Sequence, residues 1–344
     1  MAEEQELGMA AIKAGALEVA GLAKVFKTRT GPIPAVRDVS FCVAPGEVLA
    51  FLGPNGAGKT TTIKMTAGLV RPDAGDVRVG GVSLFARHDA VTAQIGAVLE
   101  GSRNLYWRLT ARENLEYWGT MRRLSVRAAR ERAGELLERV GLTDRARNTV
   151  QTLSRGMQQK VALCQALMHR PHVLLLDEPT LGLDFDSAEG IKRVVRQLAQ
   201  EGTAVLLTTH QLDVAQELSD RVAMIRRGQL VLEGATADVL ARYSEPVATV
   251  VAAFPWPTGM ATRLAGLPAA VTGEDSLRVD LANDRGETLY QVLERLNPHP
   301  LLRIERHQAD LAQVFQEVMG EAHGVEPAPA EASPVAAREG AATS

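Results

Sequence analysis

Apolar and polar residues alternate from Ala16 to Phe41 as in antiparallel strands, with "RTGPIP" expected as the turn between them. "DVRVGGVSL" predicts a second hairpin, turning at Gly80 and Gly81. Three uninterrupted apolar runs behave differently. Val48–Leu52, "HVLLLDEP" and "TAVLLTTH" read as strands buried on both faces, the habit of a parallel sheet. The last two flank a helical stretch, "SAEGIKRVVRQLAQ", and strands alternating with helices predict a mostly parallel α/β sheet. Residues 104 to 170 read as mostly helical, and Thr110 with Glu113 forms a capping box ahead of "NLEYWGTM". Beyond Tyr243 short strands ("ATVVAAF", "LRVDL", "LLRIE") alternate with helices ("GETLYQVLERL", "DLAQVFQEVM"). That pattern suits a small separate α+β domain of ferredoxin-like type.

A chain of 344 residues fits about two domains, and its 46% apolar content supports a sizeable core. The pattern divides it into an N-terminal extension (1–15), a main domain (16–240) with a helical part at about 101–170, an accessory domain (241–320), and a tail (321–344) expected to be disordered. The net charge of −3 argues against nucleic acid as a partner. Cys42 and Cys164 sit in apolar settings without metal spacing and read as buried thiols in a reducing compartment. The acidic start, "MAEEQELGMAAIK", lacks the flank and core of a signal peptide. No apolar run approaches the roughly 18 residues that span a bilayer, so any work at a membrane requires another chain to cross it.

The chemistry enters at "VLAFLGPNGAGKTTTIKM". A buried strand, Val48–Leu52, leads into a loop from Gly53 to Lys59, and a helix follows from Thr60. Gly53, Gly56 and Gly58, with Pro54, Asn55 and Ala57 between them, let successive N–H groups converge on anionic oxygens, and the helix N-terminus adds its dipole. Lys59 is expected to reach the β- and γ-phosphates, while the Thr60 hydroxyl, with Thr61 beside it, faces Mg²⁺. A glycine-rich turn that binds nothing does not require the full G-x-x-x-x-G-K-T spacing between strand and helix. "VLLLDEPTLGLD" supplies a second half: Asp177 ends a strand where a carboxylate meets Mg²⁺, and Glu178 is placed to polarise a water. Two acids at a strand end carry little weight alone, but "TLSRGMQQKVALCQAL" precedes them and "LLTTHQL" comes after.

Together these segments resemble the ATP-binding cassette (ABC) ATPases over roughly residues 16 to 240. The resemblance implies that Leu153, Ser154 and Gly156 form the signature facing a γ-phosphate held by the opposing subunit. It implies that His210 is the switch histidine and that Asp184 lies in the loop linking the two sites of a dimer. Phe26, preceded by Lys24, corresponds to the aromatic that stacks on adenine, although by itself it reads as a core residue. Arg155 and Met157 stand where the family usually has glycine and glutamine, and Glu100 takes the place of the lining glutamine. A carboxylate at Glu100 repels a triphosphate unless Mg²⁺ or water intervenes, which groups it with Thr60 and Asp177 as a metal-side residue. "LSRGM" and an acid at that position resemble the daunorubicin-type drug-exporter branch.

Residues 101 to 170 hold 13 Arg and 1 Lys against 5 Glu and 1 Asp, a net of +8 on an acidic chain. An anionic membrane surface and a solvated helical face explain that excess about equally. Of 14 aromatic residues, Tyr106, Trp107, Tyr117 and Trp118 fall within 13 positions, and the first two lie in the loop "GSRNLYWRLT", outside helical periodicity. Amphipathic rings there favour an interface, and the resemblance implies a permease helix as its occupant. The reading is a dimeric, peripheral ATPase at the cytoplasmic face of the membrane, driving a separately encoded permease with ATP and Mg²⁺ and paired with a second copy or a homologous subunit. Two rivals are a soluble ABC ATPase of repair or translation, whose coiled-coil insert, zinc cysteines or second cassette are not seen, and an ATP clamp without turnover, suggested by Glu100 and Arg155. Every site motif precedes Ala241, so nucleotide binding is expected to survive removal of residues 241 to 344.

Overall fold

The computed structural model describes residues 16–29, 31–99, 105–244, 247–281, 287–306 and 308–320. The expected N-terminal extension, the tail and Glu100 lie outside these residues. In chain order the first elements are β1 (Leu17–Thr28), β2 (Gly31–Val43), β3 (Val48–Leu52), α1 (Lys59–Thr66), β4 (Ala74–Val79), β5 (Val82–Ser83), α2 (His88–Thr92) and β6 (Ile95–Val98). A helical region comes next, with α3 (Ala111–Met121), α4 (Val126–Arg139) and α5 (Arg155–Leu167). The chain then returns to the sheet through β7 (Val173–Asp177), α6 (Phe185–Gln200), β8 (Ala204–Thr208), α7 (Leu212–Leu218), β9 (Arg221–Arg226), β10 (Gln229–Ala235) and α8 (Thr236–Tyr243).

The central sheet has the order β10-β9-β3-β8-β7-β6, parallel except at β10. β3, β7 and β8 are buried at every residue, as uninterrupted apolar runs require. A second sheet, β2-β1-β4-β5, is antiparallel. Its first hairpin is tighter than alternation predicts. Pro32 and Pro34 fall inside β2, paired with Lys27 and Val25, because β2 is an edge strand that can spare their missing donors. The β4–β5 hairpin turns at Gly80 and Gly81 as expected.

The capping box of α3 is formed. Thr110 Oγ1 accepts from the Glu113 amide, and Glu113 Oε2 accepts from the Thr110 amide at 2.8 Å, which holds the Glu113 carboxyl below its usual range. Arg127, Arg130, Arg132, Arg139 and Arg170 in this region all form ion pairs with glutamates, so much of the basic excess serves the helices' own surfaces. Cys164 is fully buried, and desolvation pushes its thiol up to about 12. Cys42 departs from expectation: β2 turns Phe41 and Val43 toward the core and leaves Cys42, between them, only half-buried.

After α8 come β11 (Val247–Ala252), α9 (Met260–Arg263), β12 (Ala269–Val271), β13 (Ser276–Asp280), α10 (Glu287–Leu296) and β14 (Leu301–Arg306). The strand order β12-β13-β11-β14, all antiparallel, is the ferredoxin-like arrangement, with α9 and α10 closing over Val250, Leu277 and Val279. The final helix, α11 (Leu311–Gly320), leaves this sheet and returns to the central-sheet domain. Leu311 and Val314, both 0% exposed, pack with Leu52 of β3, Ala215 of α7 and Met224 of β9. Leu311→Ala is therefore expected to destabilise the central-sheet domain by about 2–5 kcal/mol, read from its urea unfolding midpoint. An unchanged midpoint would mean that this helix rests on the domain without supporting it.

Candidate nucleotide site

The cradle, the carboxylates and the histidine lie far apart in sequence, and the parallel sheet brings them together. β3, β8 and β7 are neighbours, and their C-terminal ends deliver Gly53–Lys59, Thr209–His210 and Asp177–Glu178 to one rim. There they enclose a cavity of about 440 Å³, lined by the loop from Pro54 to Thr61 with Asp177, Glu178 and His210. Ala35 and Leu181 complete its wall, and neither carries a chemical signal that sequence reading could have used. Gly53, at the loop's root, packs beneath the cavity against Ile225.

Gly58 shows why the loop needs glycine. Its φ is +111°, and a Cβ there would stand 2.5 Å from the Ala35 carbonyl oxygen. Lys59 opens α1, and its ammonium donates to the carbonyls of Gly53 at 2.5 Å and Pro54 at 3.2 Å. Burial lowers the Lys59 pKa from its ordinary value, while the charges of Glu178 and Asp177 pull it back up. Thr60 and Thr61 come next, on the cavity side of the first turn.

Asp177 is buried at the end of β7 and accepts from the Thr208 hydroxyl on the paired strand. Glu178 has φ +51°, a left-handed conformation that costs a residue with a Cβ about 1–3 kcal/mol. The turn directs its carboxylate at the end of β8. Oε1 accepts from His210 Nδ1 at 2.9 Å, and Oε2 accepts from the Thr209 hydroxyl at 3.2 Å. Gln211 fixes the same segment by accepting from the Thr180 hydroxyl at 2.6 Å. Acid and histidine, steadied by the Thr209 and Gln211 side chains, thus form one cluster on the cavity that Lys59 also lines.

The other expected residues lie elsewhere. Phe26 is 40% exposed on β1, opposite Ile33, and does not line the cavity. The Lys24 ammonium sits 5.7 Å from its ring centroid while bonded to Asp73. Ser154 and Asp184 are exposed and also do not line it. Each caps a helix: Ser154 Oγ accepts from the Met157 amide ahead of α5, and Asp184 accepts from the Ser187 amide at 2.9 Å ahead of α6. That bond holds the Asp184 carboxyl below its usual range. The two helix starts interlock, since a Cβ on Gly156 would collide with Ser187 Oγ. Arg155 extends this contact by laying its guanidinium against Gly182. Phe185, 78% exposed, stands beside them.

A glycine-rich strand-to-helix loop with lysine and threonine, facing an acidic strand end across one cavity, defines a P-loop nucleoside-triphosphatase site. The family model described as ABC transporter matches residues 36–181. The Nod factor export ATP-binding protein I of Paraburkholderia xenovorans (strain LB400) is 36% identical over 302 residues, covering 86% of this chain and 95% of that protein. The linearmycin resistance ATP-binding protein LnrL of Bacillus subtilis (strain 168) is 40% identical over 220 residues, 64% of this chain and 70% of the relative. The daunorubicin/doxorubicin resistance protein DrrA of Streptomyces peucetius is 41% identical over 231 residues, 65% and 66% of the two chains. Among solved structures, a dimeric post-hydrolysis ATP-binding cassette bound to ADP and Pi is similar with TM-score 0.59 and 27% identity, covering 64% of this chain and 98% of that one. The chain belongs to the ATP-binding subunits of ABC transporters, and its cassette is an ATPase.

Proposed function

We propose that this chain is the ATP-hydrolysing subunit of an exporter for drugs, lipids or other hydrophobic compounds, working as a dimer against a separately encoded permease. The observation that carries the reading is the single cavity onto which cradle, Asp177, Glu178 and His210 converge. Relatives named for drug resistance and Nod factor export support the direction of transport. No helix among the described residues is long and apolar enough to cross a membrane, which leaves the pathway to the permease.

Within the site, loop amides and Lys59 would bind the phosphates, and Glu178 would orient the attacking water and take its proton. His210, already held by Glu178, would contact the γ-phosphate. Thr60 and buried Asp177 both line the cavity and offer hard oxygen donors that suit Mg²⁺, which also takes water and phosphate ligands. When bound, Mg²⁺ would neutralise charge on the β- and γ-oxygens. Ser154 and Asp184 are exposed and line no part of their own chain's cavity, and buried Gly156 locks the two helix starts together. That placement favours a second subunit as the owner of the phosphate they touch.

The permease would dock where a groove of about 220 Å³ runs beside Leu69, Leu99, Trp118 and Arg122. Tyr106 and Trp107 are 46% and 54% exposed nearby, and the Tyr106 ring meets that of Tyr117 edge-on at 5.0 Å. Purification from solubilised membranes should bring a multi-spanning protein down with this chain, and the complex should hydrolyse ATP. A folded chain that binds ATP but never acquires such a partner overturns the reading. Changing Tyr106 and Trp107 together to Ala is expected to weaken that association at least about tenfold, because buried aromatic anchors dominate interfaces. ATP affinity should stay within about twofold, since neither ring lines the nucleotide cavity. Normal assembly with a lowered melting temperature would assign both rings to the fold.

A further inference from the structure

α11 does more than cover the cassette. Its start is capped by Asp310, which accepts from the Gln313 amide at 2.8 Å, and it is tied to two cassette elements. The Leu311 amide donates to Gln216 Oε1 on α7 at 2.8 Å, and Arg226 of β9 donates to the Val318 carbonyl at 3.2 Å. These bonds and the buried pair Leu311 and Val314 fix the helix in rotation and along its axis. Fixed in this way, it places Phe315 in the wall of a second cavity, of about 200 Å³, against Gly53, Pro54, Asn55, Thr209, His210 and Leu212. The same loop and histidine that bound the nucleotide cavity are therefore backed by one aromatic ring from outside the cassette sequence.

We propose that Phe315 is a positioning residue for hydrolysis: it limits how far Thr209–Leu212 can withdraw from Glu178, and so holds His210 at the reacting phosphate. The proposal rests on the roles given above to His210 and Glu178. The geometry explains why a ring is used. The small cavity leaves the switch segment room to recede, and the Phe315 ring stands on its far side. His210 is held from the front by the Glu178 carboxylate and from behind by this wall. Because α11 comes directly after β14 in the chain, the arrangement also links the accessory domain to the switch. Ser244 Oγ, at the end of α8, accepts from the Ala309 amide at 2.9 Å and steadies the connection.

The test uses the full chain with its permease and compares Phe315→Ala, Phe315→Leu, Val239→Ala and His210→Ala. Phe315→Ala should lower kcat about ten- to hundred-fold, the effect of a catalytic group misplaced by about 1 Å. Affinity for a fluorescent ATP analogue should change less than about threefold, since Phe315 lies behind the phosphate loop. Phe315→Leu should recover most of the loss by refilling the wall. Val239→Ala removes buried packing on α8, in the same apolar cluster but outside α11, so it should lower Tm while leaving kcat, measured well below that Tm, within about twofold. If Phe315→Ala keeps normal kcat, or if Val239→Ala loses as much turnover at the same distance from its Tm, the positioning role is wrong. If His210→Ala keeps normal kcat, the reading of the switch histidine fails instead, and the two failures are told apart within one experiment.

Discussion

Glu178→Gln is expected to lower ATP turnover by about 10²–10⁴-fold, the usual contribution of a general base, while ATP affinity stays within about twofold. The amide has the size of the carboxylate: its oxygen can still accept from His210 Nδ1, and its NH2 can donate to Thr209 Oγ1 in place of the bond that Oε2 accepted, so the left-handed turn at φ +51° should survive. What the amide cannot do is take a proton from the attacking water. ATP bound in the cradle would then wait, and because the proposed dimer closes around ATP, the variant should accumulate as a nucleotide-dependent dimer. Size-exclusion chromatography with and without ATP reads the accumulation, and a phosphate-release assay reads turnover. Near-normal turnover from a folded variant would move the base away from Glu178.

The chemistry of this site was legible because it is local. Gly53–Thr61 and "LLLDEP" each carry a strand, a turn and the reactive residues within about ten positions, and their physical reasons are independent of the rest of the chain. The capping box at Thr110 was readable for the same reason. Convergence of the segments came from the pattern of buried strands, since a parallel sheet gathers its C-terminal ends on one rim. Contacts made at long range left no such trace. "DLAQVFQEVM" announces an amphipathic helix, but periodicity identifies only that a face is apolar. It does not say whether that face meets β13 nearby or β3 far upstream. Removing everything beyond Ala241 would accordingly strip Leu311 and Val314 from the cassette, so the expectation that binding survives needs a folded truncation to be tested at all.

Arg155 illustrates the same boundary at one residue. In sequence it is a departure from the family signature, and with Glu100 it suggests a clamp without turnover. In the fold its guanidinium rests on Gly182, tying the start of α5 to the loop that carries Asp184. The long side chain thus joins two segments that the proposed partner subunit would read as one surface. Phe26 shows the boundary differently. Its spacing from the cradle suggests a platform for adenine, and the fold leaves its ring exposed on β1, outside the cavity that the phosphate loop lines, so that stacking there stays a proposal for the bound nucleotide to test. An aromatic position relative to a motif fixes distance along the chain, and the edge hairpin that carries it sets the distance in space.

A mixed dimer of Lys59→Ala and Ser154→Arg chains is expected to trap ATP although neither homodimer does. The expectation comes from where these residues sit. Lys59 is buried in the cavity wall, while Ser154 is exposed, caps α5 and lines no part of the same cavity. If each ATP lies between Lys59 of one subunit and Ser154 of the other, a two-fold dimer contains two composite sites at one isologous interface. Every site in either homodimer then carries a defect. In the mixed dimer one site inherits both defects and the other inherits none. The intact site should occlude about one nucleotide per dimer, read by retention of labelled ATP through rapid gel filtration. Turnover is the weaker readout, because two sites that must fire together would both fall silent when one is broken. Met157 keeps its helix position in Ser154→Arg even though the cap is lost, at a cost of about 1 kcal/mol, so the variant should fold. Folded variants shown to form mixed dimers, yet retaining no ATP above the homodimers, would reject the shared site and return Ser154 to a purely structural cap.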